Sequence, residues 1–140
     1  DANHGTVGAV ALDIHGTLAA GTSTGGTFNK LAGRVGDTPI IGSGTWADET
    51  VAVSATGLGE AFIRTAAAYD VSARMRYANT PMDTATRQVL DEVKRCDGDG
   101  GLIAVDAQGR ISMPYNSDGM KRAAVSSEMA PVVRVFEPEP

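Results

Sequence analysis

Branched apolar residues alternate with smaller or polar residues near the start of the chain. Val10, Leu12 and Ile14 are spaced two residues apart, which favours a strand with one apolar face. His15 and Gly16 are typical of a turn, and residues 17–22 return to strand-forming types. The pattern predicts a β-hairpin over residues 6–22.

The apolar pattern dissolves between Ser23 and Gly44, a segment of about 20 residues rich in Gly, Thr, Pro and charge. A connection of this length is typical of a functional loop. Strand character returns over residues 50–56, where Val51 and Val53 alternate with smaller neighbours.

Apolar spacings of three and four then predict two helices. Residues 60–78 have the pattern of a single amphipathic helix. A second helix is predicted to start with Thr80 as N-cap and Pro81 as its first helical residue, and to end at the turn-forming residues 97–100. The expected inner face of this second helix carries Val89, Leu90 and Val93.

The last third of the chain returns to strands. Residues 102–105 and 111–113 flank a turn and predict a second hairpin, and residues 132–136 predict a final strand. Strands joined by tight turns cannot be parallel. We therefore expect a mixed α/β fold of the α+β type, in which helices cover a largely antiparallel sheet. The small side chains of the first hairpin suit a position between other layers.

Composition and charge restrict the function classes. The chain has 140 residues, the size of one compact domain. Its net charge of −5 argues against nucleic acid and anionic membranes as partners. Cys96 is the only cysteine, and with His4 and His15 it makes no zinc-ligand pattern. No run of residues has the length of a membrane span, so we expect a soluble, cytoplasmic protein.

Several Gly-rich clusters fall short of known nucleotide motifs. Gly42-Ser43-Gly44 and Gly57-Leu58-Gly59 do not complete a dinucleotide fingerprint, and residues 21–30 lack the ending of a P-loop. His15 lies in a predicted turn, where a solvated residue is more common than a catalytic base.

The dipeptide Gly5-Thr6 carries a sharper hypothesis. A threonine hydroxyl becomes nucleophilic when a base takes its proton, and a free α-amine on the same residue can act as that base. This chemistry requires cleavage of the bond between Gly5 and Thr6. The alternative is that Thr6 is an ordinary residue at the start of a strand.

Long motifs link the chain to a known family. They are HGTVGAVALD at residues 4–13, TSTGG at 22–26, NKLAGRVGDTPIIGSGTWAD at 29–48 and ATGLGE at 55–60. These runs resemble the β subunit of the plant-type asparaginase and isoaspartyl peptidase family of N-terminal nucleophile hydrolases. The resemblance implies half of a four-layer αββα sandwich, with residues 1–5 as a remnant of an upstream α subunit and 6–140 as the catalytic β subunit.

The resemblance assigns roles to eight residues. Thr6 matches the nucleophile, freed by self-cleavage at Gly5, and Thr24 matches the threonine that orients it. Arg34 matches the group that binds the substrate α-carboxylate through its planar fork, and Asp37 matches the partner of the α-ammonium.

The remaining matches concern the oxyanion hole and the substrate amine. Thr56 and Gly57 match the oxyanion hole, and Gly59 matches a backbone contact to the substrate amine. Without the resemblance, Arg34 and Asp37 would be interpreted as a local surface ion pair. Gly57 and Gly59 would be interpreted as part of a turn between a strand and a helix.

The resemblance implies an amidohydrolase acting on the β-amide bonds of L-asparagine and β-aspartyl peptides. The alternatives are a glycosylasparaginase, which cleaves asparagine-linked sugars, or a catalytically silent fragment in which the bond between Gly5 and Thr6 stays intact. The implied partners are the α subunit of the same precursor and a second αβ unit. The chemistry requires no cofactor, and the family implies at most an alkali cation in a loop of the α subunit.

Overall fold

An antiparallel hairpin opens the fold in the computed structural model, which describes residues 4–136. It consists of β1 (His4–Leu12) and β2 (Leu18–Thr27). The predicted hairpin is confirmed, and the second strand continues five residues further than expected. Ile14 lies in the turn and is 96% exposed, so its assignment to the apolar face was wrong.

A four-stranded antiparallel sheet forms the centre of the fold. Its strands, in spatial order, are β3 (Thr45–Ala47), β4 (Val51–Gly57), β5 (Gly100–Asp106) and β6 (Ile111–Ser112). The predicted strand at 50–56 and the predicted second hairpin are therefore confirmed. The short strand β3 was not expected, because its few residues sit at the end of a long irregular loop.

Two helices replace the single helix expected over residues 60–78. They are α1 (Gly59–Thr65) and α2 (Ala67–Ala78), separated by Ala66 in the left-handed conformation at φ 47°. The amides of Ala68 and Tyr69 in the first turn of α2 donate to the carbonyls of Ser43 and Gly42. The loop before β3 thus supplies acceptors for amides that have no partner within their own helix.

The third helix, α3 (Met82–Arg95), begins one residue later than predicted. Pro81 has an extended ψ of 144° and flanks the helix, and no side chain caps its N-terminus, so the N-cap assignment of Thr80 was wrong. The expected inner face is confirmed by the burial of Val89, Leu90 and Val93.

A small two-stranded sheet lies near the end of the described chain. It pairs β7 (Arg122–Ala124) with β8 (Val132–Arg134) in antiparallel fashion. The last predicted strand is therefore present over three of its five residues, outside the central sheet.

Alternation along β4 places helices and hairpin on opposite faces of the central sheet. Val51, Val53 and Ala55 belong to the main apolar core, which they share with Phe62 and other helical residues. The intervening Ser54 bonds instead to Thr22 of the hairpin, with 2.7 Å between the hydroxyl oxygens. Because successive side chains point to opposite faces, the order of layers is helices, central sheet, hairpin.

The outer face of the hairpin is open in this chain. Burial alternates along β2, and Val7 on the same outer face of β1 is 76% exposed. The expectation of a mixed α/β fold with antiparallel sheets is confirmed by these layers. Within residues 4–136 no helix is long and apolar enough to cross a membrane.

Candidate active site

Two threonine hydroxyls meet across the first hairpin. Thr6 on β1 lies directly opposite Thr24 on β2, and the Thr6 hydroxyl donates to Thr24 Oγ1 at 3.1 Å. Thr24 in turn donates to the carbonyl oxygen of Gly5 at 3.0 Å and accepts from the amide of Gly26 at 2.9 Å. The structure therefore brings together the predicted nucleophile, the predicted orienting threonine and the peptide bond before the nucleophile.

The strand pairing is irregular at this point. His4 is opposite Thr27, whereas Thr6 is opposite Thr24, so the register shifts by one residue at Gly5. Irregularities of this kind re-aim backbone and side-chain groups at functional sites. Here the shift accompanies the hydrogen bond between the Gly5 carbonyl and Thr24.

A bond between two layers holds the hairpin against β4. Besides bonding to Ser54, the hydroxyl of Thr22 donates to the carbonyl of Gly44 at 3.1 Å. Thr24 and Thr56 follow two residues after Thr22 and Ser54 on their strands, so their side chains share the inner faces of the two layers. Thr56 and Thr6 line a cavity of about 200 Å³ between these layers.

A second, smaller cleft adjoins Thr6 on the side of the long loop. Its lining includes Thr6, Thr24, Arg34, Asp37 and Gly57. Gly57 ends β4 at φ 144°, a conformation that side chains rarely adopt. Most predicted site residues therefore share one cleft, while Thr56 lines the neighbouring cavity.

Asp37 presents a buried carboxyl group to this region. Asp37 is only 6% exposed, and its Oδ2 has no hydrogen-bond partner among residues 4–136. Burial raises the pKa of the Asp37 carboxyl, although backbone amides and the nearby Arg34 guanidinium offset part of this effect. The backbone carbonyl of Asp37 accepts from the amides of Ile40 and Gly44, which fixes the loop at this point.

Arg34 makes a two-pronged ion pair with Glu60 rather than with Asp37. Arg34 Nε donates to Oε1 of Glu60 at 2.8 Å, and Nη2 donates to Oε2 at 2.9 Å. These hydrogen bonds raise the pKa of Arg34, which therefore stays cationic. The interpretation of Arg34 and Asp37 as an isolated local ion pair is therefore wrong, because the hydrogen bonds of Arg34 go to Glu60.

Glu60 is the site residue that sequence reasoning missed. It follows Gly59 in the first turn of α1, where an acidic residue is explained by the helix dipole alone. Glu60 is the last residue of the ATGLGE motif, and this position was the one sequence feature that could have identified it as a site residue.

Gly59 leaves open the space between the two charged groups. A Cβ at this position would lie 2.8 Å from Asp37 Oδ1 and 3.1 Å from Arg34 Nη2. The carboxylate and the guanidinium therefore converge on one point next to the backbone of Gly59. A small molecule that carries both an ammonium and a carboxylate matches this pair of charges.

The sequence of the chain matches a family profile over nearly its whole length. Residues 1–135 match the family described as asparaginase. The chain belongs to this asparaginase family. The resemblance stated from the motifs is thereby confirmed.

Curated relatives of this asparaginase-family chain include bacterial and archaeal proteins. The isoaspartyl peptidase of Salmonella typhimurium is 55% identical over 121 residues, which cover 85% of this chain and 39% of the relative. The isoaspartyl peptidase of Escherichia coli is 53% identical over 121 residues, covering 85% and 38%. The plant-type L-asparaginase of Pyrobaculum calidifontis is 47% identical over 121 residues, covering 84% and 40%. The chain thus spans about 35 to 40% of the length of the curated relatives it matches.

Possible metal ligands among the described residues are the His, Cys, Asp and Glu side chains. Between residues 4 and 136, no group of three or more His, Cys, Asp or Glu side chains is arranged to hold a metal ion. The alkali cation that the resemblance implies in a loop of an α subunit stays a prediction.

Proposed function

We propose that this chain carries the nucleophile of an amidohydrolase that cleaves the β-amide bonds of L-asparagine and β-aspartyl peptides. The printed names of the relatives, isoaspartyl peptidase and L-asparaginase, support this class of reaction. The observation that carries the proposal is the 3.1 Å bond from Thr6 to Thr24 beside the cleft lined by Arg34 and Asp37.

Activation begins with cleavage of the peptide bond between Gly5 and Thr6. The Thr6 oxygen attacks the Gly5 carbonyl carbon, the carbon–nitrogen bond breaks, and the nitrogen takes up the proton that the hydroxyl has lost and leaves as the free amine of Thr6. Water then hydrolyses the resulting ester to a Gly5 carboxylate and a free Thr6 hydroxyl. The hydrogen bond from Thr24 to the Gly5 carbonyl oxygen would stabilise the negative charge that develops there.

Turnover uses the amine that this cleavage releases. The amine of Thr6 takes the proton of its own hydroxyl, and the oxygen attacks the side-chain carbonyl of the aspartyl unit. Ammonia or an amine leaves, and water frees aspartate from the acyl-enzyme. We assign oxyanion stabilisation to the hydroxyl of Thr56 and the amide of Gly57, each worth a few kcal/mol.

Recognition of the aspartyl unit uses the converging charges. Arg34 binds the α-carboxylate and Asp37 binds the α-ammonium, with Gly59 lining the space between them. Both groups of the substrate must be free for these contacts to form. The proposed enzyme therefore acts on β-linked and not on ordinary α-linked aspartyl peptides.

The larger assembly is also part of the proposal. We assign residues 6–140 to the catalytic β subunit and residues 1–5 to the end of an α subunit. The open outer face of the hairpin, exemplified by Val7, supports further layers that complete a four-layer αββα sandwich. Two αβ units form a dimer, and an alkali cation binds to a loop of the α subunit.

Self-cleavage provides the first test. In the protein at its natural full length, N-terminal sequencing should find a fragment that begins Thr-Val-Gly-Ala-Val. Thr6→Ala should abolish both cleavage and hydrolysis, and Thr6→Ser should retain part of both because it keeps a hydroxyl. Thr84→Ala, at an exposed position on α3, is the matched control and should leave both unchanged. An uncleaved wild-type chain after long incubation would contradict the proposal.

Substrate choice separates this proposal from its alternative. Release of ammonia or amine is compared for L-asparagine, β-aspartyl-leucine, α-aspartyl-leucine and an asparagine-linked sugar under matched conditions. We expect hydrolysis of the first two only. Preference for the sugar would assign the chain to a glycosylasparaginase, and equal cleavage of α-aspartyl-leucine would exclude the recognition scheme.

A further inference from the structure

The guanidinium of Arg34 has two edges, each able to bind a carboxylate with two parallel hydrogen bonds. Glu60 occupies the edge formed by Nε and Nη2, at 2.8 and 2.9 Å. This leaves the edge formed by Nη1 and Nη2, because the second hydrogen of Nη2 points outward in parallel with a hydrogen of Nη1. Arg34 is only 18% exposed in its side chain, whereas Glu60 is 53% exposed.

The free edge lies against residues without side chains. A Cβ at Gly36 would lie 2.8 Å from Nη1, and a Cβ at Gly59 would lie 3.1 Å from Nη2. Arg34 and Gly36 both line the cleft that contains Thr6. The free edge of the guanidinium therefore borders the space in which the proposed substrate binds, while Glu60 approaches from the other side.

We infer that Glu60 is a positioning residue that holds Arg34 so that its Nη1 and Nη2 edge receives the substrate α-carboxylate. This inference rests on the proposed function. Arginine has a long side chain with many rotamers, and fixing them on binding costs free energy. Glu60 fixes them before substrate arrives, and it does so from an adjacent element, the first turn of α1.

The role predicts a specific kinetic signature. Glu60→Gln keeps one acceptor for Arg34 Nε but loses the charge and the second strong bond, so KM for L-asparagine should rise about tenfold. The change in kcat should stay within about twofold, because Glu60 touches no reacting atom. Glu60→Ala should raise KM further, and Glu60→Gln should keep part of the binding that Glu60→Ala loses.

A substrate without the α-carboxylate isolates the effect. Hydrolysis of 3-aminopropanamide, which is L-asparagine without that group, should have the same kcat/KM in wild type and in Glu60→Gln. The double variant Arg34→Ala/Glu60→Gln should bind L-asparagine no worse than Arg34→Ala alone, since Glu60 acts only through Arg34. These variants are measured in the processed protein at its natural full length.

Controls separate positioning from a general effect on the helix. Asp83→Asn removes an acidic residue from the first turn of α3 and should leave KM unchanged. Thermal unfolding of each variant reports whether the fold survives, and Glu60→Gln provides the milder variant if Glu60→Ala unfolds.

Two outcomes would overturn the inference alone. One is an unchanged KM for L-asparagine in Glu60→Gln, and the other is an equal loss of activity on 3-aminopropanamide. A wild-type protein that hydrolyses neither L-asparagine nor β-aspartyl-leucine would instead overturn the proposed function, and the inference with it.

Discussion

At the scale of single residues, the site keeps an acid where water cannot easily solvate it. Asp37 is buried, its Oδ2 lacks a partner within the described residues, and burial raises the pKa of its carboxyl. A group whose folded-state pKa is raised favours folding at low pH, and this contribution is lost as pH rises through that pKa. Above that pKa the ionised Asp37 therefore costs stability, and the proposed substrate ammonium would relieve that cost.

We predict opposite effects on stability and activity for Asp37→Asn. The neutral amide should increase the free energy of unfolding by about 1 kcal/mol at pH 7, because it removes a buried charge that backbone amides and Arg34 compensate only in part. This gain should shrink as pH falls through the raised pKa of the Asp37 carboxyl, because the carboxyl then becomes protonated. The value of kcat/KM for L-asparagine should fall about a hundredfold, since the amide cannot pair with an ammonium.

The same titration predicts a pH dependence of binding in the wild type. KM for L-asparagine should rise as pH falls through the raised pKa of Asp37. Asp91→Asn, an exposed acid-to-amide change on α3, is the control. It should change neither the free energy of unfolding, measured with denaturant, nor KM for L-asparagine. A lower stability of Asp37→Asn at pH 7 would show that the carboxylate is compensated in the folded state.

At the scale of elements, the break between α1 and α2 is set by another part of the chain. The carbonyls of Gly42 and Ser43 accept the first amides of α2, and Ala66 takes the left-handed conformation that this docking requires. A left-handed alanine costs roughly 1 to 2 kcal/mol. The same contacts fix the end of the loop that carries Arg34 and Asp37, so the break serves the site.

Ala66→Gly should therefore stabilise the protein by about 0.5 to 1 kcal/mol, because glycine adopts a positive φ without strain. Denaturant unfolding measures the change. Ala73→Gly, in the interior of α2, is the matched control and should destabilise the protein by about 1 kcal/mol. Equal destabilisation by both changes would indicate that the left-handed conformation carries no cost here.

At the scale of the whole molecule, this chain leaves apolar surface uncovered around the site. Val7 is 76% exposed on the hairpin, and Phe28 and Leu31 in the following loop are 79% and 85% exposed. Large apolar side chains left exposed in this number are available for burial against a further layer. The chain also spans only about 35 to 40% of the length of its curated relatives.

We predict that these 140 residues, expressed alone, are poorly stable. Their thermal transition should be broad or at least about 10 °C below that of the protein at natural full length, because exposed apolar surface contributes nothing to folding. Calorimetry with a mass measurement in solution checks both. A monomeric fragment with a cooperative transition at the full-length temperature would contradict the need for further layers.

Local pattern was sufficient for most of the regular structure. The alternation from Val10 to Leu12 and the spacing of Val89, Leu90 and Val93 predicted a hairpin and a buried helix face that the structure contains. Such periodicities indicate which side of a strand or helix is buried, so residues close together in sequence are enough to predict the element and its buried face. The motifs around Thr6 and Arg34 likewise identified the family from sequence.

Contacts between distant segments decided the rest. The chain between Glu60 and Ala78 has a helical pattern throughout, yet it is divided at the point where two of its amides bond to carbonyls of a loop more than 20 residues away. Arg34 has Asp37 close to it in sequence, yet it pairs with Glu60, 26 residues later. Sequence determined where most strands and helices form and which chemistry their residues can supply. Tertiary structure decided their partners, because hydrogen bonds and burial depend on which segments the fold brings within a few ångströms.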